Sequence, residues 1–225
     1  MTDPATQSGT GGAPLIVRYT PEVRTRHWLT ALAFVLAALS GLALFHPALF
    51  GLSALFGGGP WTRILHPYLG LTMLLAFVAL AAPMHGQNRM EPRDWEWLRR
   101  YRDVISNREE KLPEVGRYNA GQKIIYHAAL WLLVGLLLSG VVIWRSYFAG
   151  YFTVDVVRVA AVVHALCAFL LVCTIIVHVY AAIWVKGSVR AMTRGTVTAG
   201  WAFKHHRAWY REMLTHATNP RSRAN

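Results

Sequence analysis

Residues 159–185 read VAAVVHALCAFLLVCTIIVHVYAAIWV, with Arg158 before them and Lys186 after, and no Asp, Glu, Lys or Arg between. About 20 apolar residues are enough to cross a bilayer as a helix. Backbone polar groups cannot stay unpaired in lipid, so such a run must be helical. Working outward, the same absence of charge holds from Arg26 to Arg63, from Arg63 to Arg89 and from Lys123 to Arg145. The chain is therefore expected to span at about Trp28–Leu49, Ile64–Met84, Ile124–Trp144 and Val159–Val185. The first gap is too long for one helix, and Pro47, Gly51, Gly57, Gly58, Gly59 and Pro60 mark a turn region outside the first span. Trp28, Trp61, Trp144 and Trp184 fall near span ends, where amphipathic rings prefer the interface.

Composition agrees. Of the 225 residues, 54% are hydrophobic and only 15% charged, whereas a soluble domain carries about 25% charged residues. An ordinary soluble enzyme is excluded, as is a disordered or collagen-like chain. Two cysteines, Cys167 and Cys173, are too few for a disulfide scaffold or a cysteine-ligated iron–sulfur cluster, which takes about four thiolates. The net charge of +12 does not point to nucleic acid, because the basic residues flank the apolar runs and follow topology. Lys and Arg number three before the first span, nine from Arg89 to Lys123 and eight from Lys186 onward, against only Arg63, Arg145 and Arg158 elsewhere. Twenty against three predicts cytoplasmic N- and C-termini and a cytoplasmic loop at about 86–118.

The expected fold is all-α, a four-transmembrane-helix bundle over residues 15–213. Residues 1–14 read as a flexible lead-in and 214–225 as a flexible tail. The start lacks the basic stretch and short apolar core of a cleavable signal, so the first span reads as an uncleaved anchor. Glu91–Tyr101, with Trp95 and Trp97 among charges, reads as an interfacial helix. No internal repeat stands out.

The histidines carry the chemistry. His164 and His178 lie fourteen residues apart on the fourth span, which returns to within about 40° of the same face after a rise of ~21 Å. One sits in each leaflet, an expensive placement unless it is used. Two axial imidazoles make a closed, six-coordinate haem iron suited to electron transfer. The antiparallel order of the spans sets His27 level with His178 and His66 level with His164, so two haems stacked across the membrane follow. His127, one turn into the third span, competes for the inner site. His46 and His85 read as interfacial, His205 and His206 as a solvated basic surface, and the two cysteines as small buried hydrophobes.

Arg26-His27-Trp28, Arg63-Ile64-Leu65-His66-Pro67, Tyr118-Asn119-Ala120-Gly121-Gln122-Lys123, Gly140-Val141-Val142-Ile143-Trp144-Arg145, Trp184-Val185-Lys186-Gly187-Ser188 and the segment Lys204–Glu212 resemble the gamma subunit of membrane-bound bacterial formate dehydrogenase. That family is a four-helix di-haem cytochrome b, and the likeness runs from about Arg18 to Met213. The resemblance implies an inner-membrane subunit of an oxidoreductase complex. In that family an external molybdenum- or tungsten-pterin (alpha) subunit oxidises formate, and an iron–sulfur (beta) subunit passes electrons to the cytochrome. The cytochrome reduces a quinone, menaquinone or ubiquinone, near the cytoplasmic face. It further implies His66 and His164 on the outer haem iron, His27 and His178 on the inner one, and a quinone pocket at Asn119, Gly121 and Gln122 beside His178. Donors at Asn119 and Gln122 suit the charge that develops on quinone carbonyls, and Gly121 lets the backbone approach. The plain alternative for this segment is a helix start capped by Asn119. His127 and the length of the extension before Leu15 depart from the family pattern. The chain carries no formate chemistry of its own. The same architecture also serves nickel–iron hydrogenase and thiosulfate reductase, and a histidine-lined transporter without haem is the rival of a different class.

Overall fold

The computed structural model describes residues 15–106 and 108–218. In chain order these form β1 (Leu15–Val17), α1 (Pro21–Phe45), α2 (Gly59–Ala81), α3 (Pro92–Arg99), α4 (Tyr101–Ile105), α5 (Ala120–Ile143), α6 (Val154–Trp184), α7 (Ser188–Arg194), β2 (Thr196–Thr198), α8 (Ala199–His205) and α9 (Arg207–Thr218), with short 3-10 turns between. Helices α1, α2, α5 and α6 are long and apolar enough to cross a membrane.

The helix ends differ from the edges of the apolar runs, for local reasons. Helix α1 begins at Pro21 and carries Glu22, Arg24 and Arg26 on turns outside the apolar run. Proline costs nothing in a first helical turn, where its missing N–H has no partner to lose. The same device opens α2, whose first turn contains Pro60 after Gly58 at φ 94°. Helix α1 stops at Phe45, and Pro47–Phe56 instead forms a 3-10 helix capped by His46, whose Nδ1 accepts from the Ala48 N–H at 3.2 Å. Charge-free gaps locate the apolar layer; capping chemistry sets where helices stop. The expected lead-in at 1–14 and the tail at 219–225 lie outside the described residues, and α9 continues through 214–218.

Contacts divide the chain into two compact units. One, residues 25–83 and 126–180, holds most of the four long helices. Its core is one shared cluster: Ala33 and Ala37 from α1, Met73 from α2, Ala129 and Leu133 from α5, and Leu171 from α6. Small residues let membrane helices approach closely, which matters because lipid offers no hydrophobic drive for association. Leu75, Trp131, Val162 and Phe169 face outward and are exposed, as a lipid-facing surface requires.

The other unit covers 15–24, 84–125 and 181–218 among the described residues. An antiparallel ribbon, absent from the sequence expectation, pairs Leu15 with Thr198, Ile16 with Val197 and Val17 with Thr196. Gly195 at φ 82° turns the chain into β2 and accepts from the Arg18 and Tyr19 N–H groups at 2.7 and 3.1 Å. A Cβ there would meet the Tyr19 carbonyl at 2.7 Å, so only glycine fits. Around the ribbon pack Ala191, Val197, Ala202 and Trp209. Arg18 is buried among them with its guanidinium 4.3 Å from the Trp209 ring centre. Arg18 donates to the Arg117 carbonyl, and Arg117 Nη2 donates back to the Arg18 carbonyl at 2.8 Å. Burial lowers the Arg18 pKa from its ordinary value.

His206 overturns an expectation. It is buried, not solvated: its Nδ1–H donates to the Gly116 carbonyl at 2.8 Å. Burial first and Arg18 second lower its pKa to about 3. Its neighbour His205 pairs with Glu109 at 2.7 Å. Two adjacent histidines cannot share one helix face. The helix breaks between them, since α8 ends at His205 and α9 starts at Arg207. That break turns one ring inward and gives the other an acidic partner.

Candidate functional site

Helix α1 brings His27 to His178 of α6, with ring centres 6.2 Å apart and planes at 47°. Helix α2 brings His66 to His164 of α6, also at 6.2 Å, with planes at 78°. The fourteen-residue spacing on α6 thus serves two partners on two helices. The ring across from His27 is that of His178; His127 lies edge-on to Tyr126 at 5.1 Å.

The pairs fit a metal gripped from both sides. Two imidazoles on one metal put their ring centres about 6.2 to 6.4 Å apart, taking about 2.0 Å per metal–nitrogen bond and about 1.1 Å from nitrogen to ring centre. Among the described residues no cluster of three or more His, Cys, Asp or Glu could hold a bare metal ion. A two-imidazole site therefore needs a metal whose other positions are filled by something else, which is what a porphyrin does.

Hydrogen bonds fix which nitrogen faces the gap in the outer pair. Ser40 Oγ lies 3.0 Å from the Ala37 carbonyl and 2.9 Å from His66 Nδ1. Its single proton goes to the carbonyl, so its oxygen accepts from Nδ1–H. Ser139 Oγ repeats this, 2.6 Å from the Gly135 carbonyl and 3.1 Å from His164 Nδ1. In both rings Nε2 is left with its lone pair, the form that ligates iron. Next to each serine is a glycine. A Cβ at Gly41 would lie 3.0 Å from His66 Cε1, and one at Gly140 would lie 3.3 Å from His164 Cε1. In the inner pair, His27 Nδ1 is buried with no hydrogen-bond partner among the described residues. Of these two serines and two glycines, only Gly140 was named from sequence, as the start of the family-like segment Gly140–Arg145, and none was given a role at a histidine. Their signal was there in Leu39-Ser40-Gly41 and Leu138-Ser139-Gly140, a three-residue repeat easily lost among leucines.

In the second unit, Asn119 and Gln122 cap the start of α5 reciprocally. Asn119 Oδ1 accepts from the Gln122 N–H at 2.9 Å, and Gln122 Oε1 accepts from the Asn119 N–H at 3.0 Å. The capping alternative is present, and it leaves both amide NH2 groups as donors. Gly121 lies under Trp97 of α3, whose Cη2 is 3.6 Å from where a Cβ would be. Lys123, the next residue but one, is buried against Asp94 at 2.7 Å and donates to the Arg89 carbonyl at 2.9 Å. A cavity of about 340 Å³ opens against Tyr118 and Lys123, with Glu91, Arg93 and Glu212 on its walls. Burial raises the Tyr118 pKa to about 12, so its hydroxyl stays protonated. Both cysteines are free and half-buried, with Cys167 Sγ seated against Gly135.

Residues 18–195 match the prokaryotic cytochrome b561 family. This chain belongs to that family. It is a multi-pass membrane b-type cytochrome, an electron-transfer protein that carries haem b. As a member of the cytochrome b561 family it is similar to "Formate dehydrogenase, cytochrome b556(fdo) subunit" of Escherichia coli (strain K12), 44% identical over 198 residues that cover 88% of this chain and 93% of that one. The same organism's "Formate dehydrogenase, nitrate-inducible, cytochrome b556(Fdn) subunit" is 40% identical over 199 residues, covering 88% and 92%. "Formate dehydrogenase, cytochrome b556 subunit" of Haemophilus influenzae (strain ATCC 51907 / DSM 11121 / KW20 / Rd) is 37% identical over 199 residues, covering 88% and 84%.

Proposed function

We propose that this cytochrome is the membrane subunit of a quinone-reducing formate dehydrogenase in a bacterial inner membrane, with both termini and the loop at 86–118 in the cytoplasm. The observation that carries the reading is the meeting of four histidines in two pairs of equal separation. In this reading His66 and His164 ligate an outer haem b, and His27 and His178 an inner one. Haem at each pair supplies a one-electron carrier. The names of the three relatives support formate as the electron source, and the distribution of Lys and Arg supports the orientation. The partners are an external iron–sulfur subunit and a molybdenum- or tungsten-pterin subunit that oxidises formate.

Quinone, menaquinone or ubiquinone, binds at Asn119, Gly121 and Gln122. The amide NH2 groups of Asn119 and Gln122, left over from the cap, donate to the quinone carbonyls, and Gly121 keeps the backbone open to the ring. This segment starts a span on the side rich in Lys and Arg, where the two protons taken up per quinone are available from water.

A reduced-minus-oxidised visible spectrum with haem quantitation on the detergent-purified chain tests the reading. Two b haems per polypeptide are expected, and zero or one overturns it. Formate-dependent quinone reduction by the complex purified with its partners then separates formate dehydrogenase from a hydrogenase or thiosulfate reductase.

A further inference from the structure

We propose that Ser40-Gly41 and Ser139-Gly140 are two matched clamps, positioning residues that fix the tautomer and the rotation of His66 and His164 so that the outer iron is held between crossed imidazole rings. This rests on the ligand reading above.

Each clamp joins one helix to the histidine of another. On α1, the Ser40 hydroxyl donates to the Ala37 carbonyl and accepts from His66 Nδ1–H. On α5, Ser139 does the same with the Gly135 carbonyl and His164 Nδ1–H. A serine that bonds back to its own helix has no freedom left to donate to the ring, and the chained bonds polarise one another. The glycine that follows leaves room for the ring edge, at a spacing where any side chain would press on Cε1. The acceptors lie on different helices, so each ring is oriented independently of the other, and the planes stand at 78°. The inner pair shows what happens without such a clamp on His27. Its Nδ1 is buried with no partner among the described residues, and the planes stand at 47°.

Ring rotation has an electronic readout. Parallel axial imidazoles split the two iron d orbitals, dxz and dyz, that have π symmetry toward the axial ligands. Crossed imidazoles leave these orbitals nearly degenerate, which makes the low-spin ferric signal highly anisotropic. The Ala37 and Leu136 carbonyls are also within hydrogen-bonding reach of His66 and His164. Without the serine hydroxyls each ring turns onto a carbonyl alone, and the crossing angle changes.

The test is electron paramagnetic resonance on the oxidised, haem-loaded full chain. Ser40→Ala/Ser139→Ala is compared with the unaltered protein, and His66→Ala identifies which signal is the outer one. The wild type is expected to show two low-spin signals, the outer one highly anisotropic. In the double variant the outer signal moves to lower anisotropy or is lost, while the inner signal and its haem stay. An outer signal unchanged in the double variant overturns the clamps, and so does an equal change in both signals. A wild type without two bis-imidazole signals overturns the ligand reading first, and the wild-type trace alone tells that failure from the other.

Discussion

At the scale of single residues, a histidine in a membrane helix is defined by where its second nitrogen's proton goes. His66 and His164 each donate Nδ1–H to a serine oxygen whose own hydroxyl hydrogen is directed at a carbonyl. Each histidine should be separable in its effect. His178→Ala is expected to remove one b haem and leave the other, giving about half the reduced b-type absorbance per chain. Equal loss of both haems would mean that the pairs are not independent. Gly41→Ala is a milder change with a sharper cause, because its Cβ would sit 3.0 Å from His66 Cε1. Overpacking of this kind costs roughly 1–3 kcal/mol, so haem content should fall from two toward one per chain while membrane insertion is unaffected. Pyridine-haemochrome quantitation on the purified variant checks it.

At the scale of elements, two buried contacts hold the second unit together. Asp94 caps the start of α3 by accepting the Glu91 N–H at 2.8 Å, and it pairs with Lys123 on the first turn of α5. Removing one partner of a buried ion pair strands the other and costs about 3–5 kcal/mol, whereas replacing both with apolar residues is often nearly neutral. Asp94→Asn should therefore lower the thermal midpoint in detergent markedly, and Asp94→Leu/Lys123→Met should recover most of the loss. If the two variants are equally damaged, the pair is not what anchors α3. His206 ties α8 and α9 to the chain at Gly116. The folded protein keeps it neutral down to a pH of about 3, while in the unfolded chain it binds a proton below about 6.5. The unfolded state then holds more protons between those values. His206's contribution to stability is complete above pH 6.5 and is lost as pH falls toward 3. His206→Gln keeps a donor for the Gly116 carbonyl without titrating. It should flatten this acid dependence, as followed by tryptophan fluorescence of the region around Trp201 and Trp209.

At the scale of the whole molecule, twenty of the 23 Lys and Arg residues lie in the termini and the middle loop. A reporter fused after Thr218 should be active only on the cytoplasmic side, and one inserted at Gly150 only on the opposite side. Reversed activities would overturn the topology. The four long apolar helices, their order and the meeting of His27 with His178 and of His66 with His164 were legible in the sequence. Charge-free length and helical rise are one-dimensional quantities, and both can be counted along a chain. The family signature in Tyr118–Lys123 and Trp184–Ser188 was legible for the same reason. The burial of His206 and Arg18, the ribbon between Leu15–Val17 and Thr196–Thr198, and the Asp94–Lys123 pair were not. Each joins segments far apart in the chain, and basic residues in a tail look solvated until their partners are known. Ser40 and Ser139 mark the boundary between the two kinds of information. Their residue types and the repeated Leu-Ser-Gly were in the sequence, but a serine in an apolar helix bonds to its own backbone in most surroundings. Only the packing of α1 against His66 and of α5 against His164 shows which lone pair is left to accept, and so which nitrogen each ring turns toward its partner.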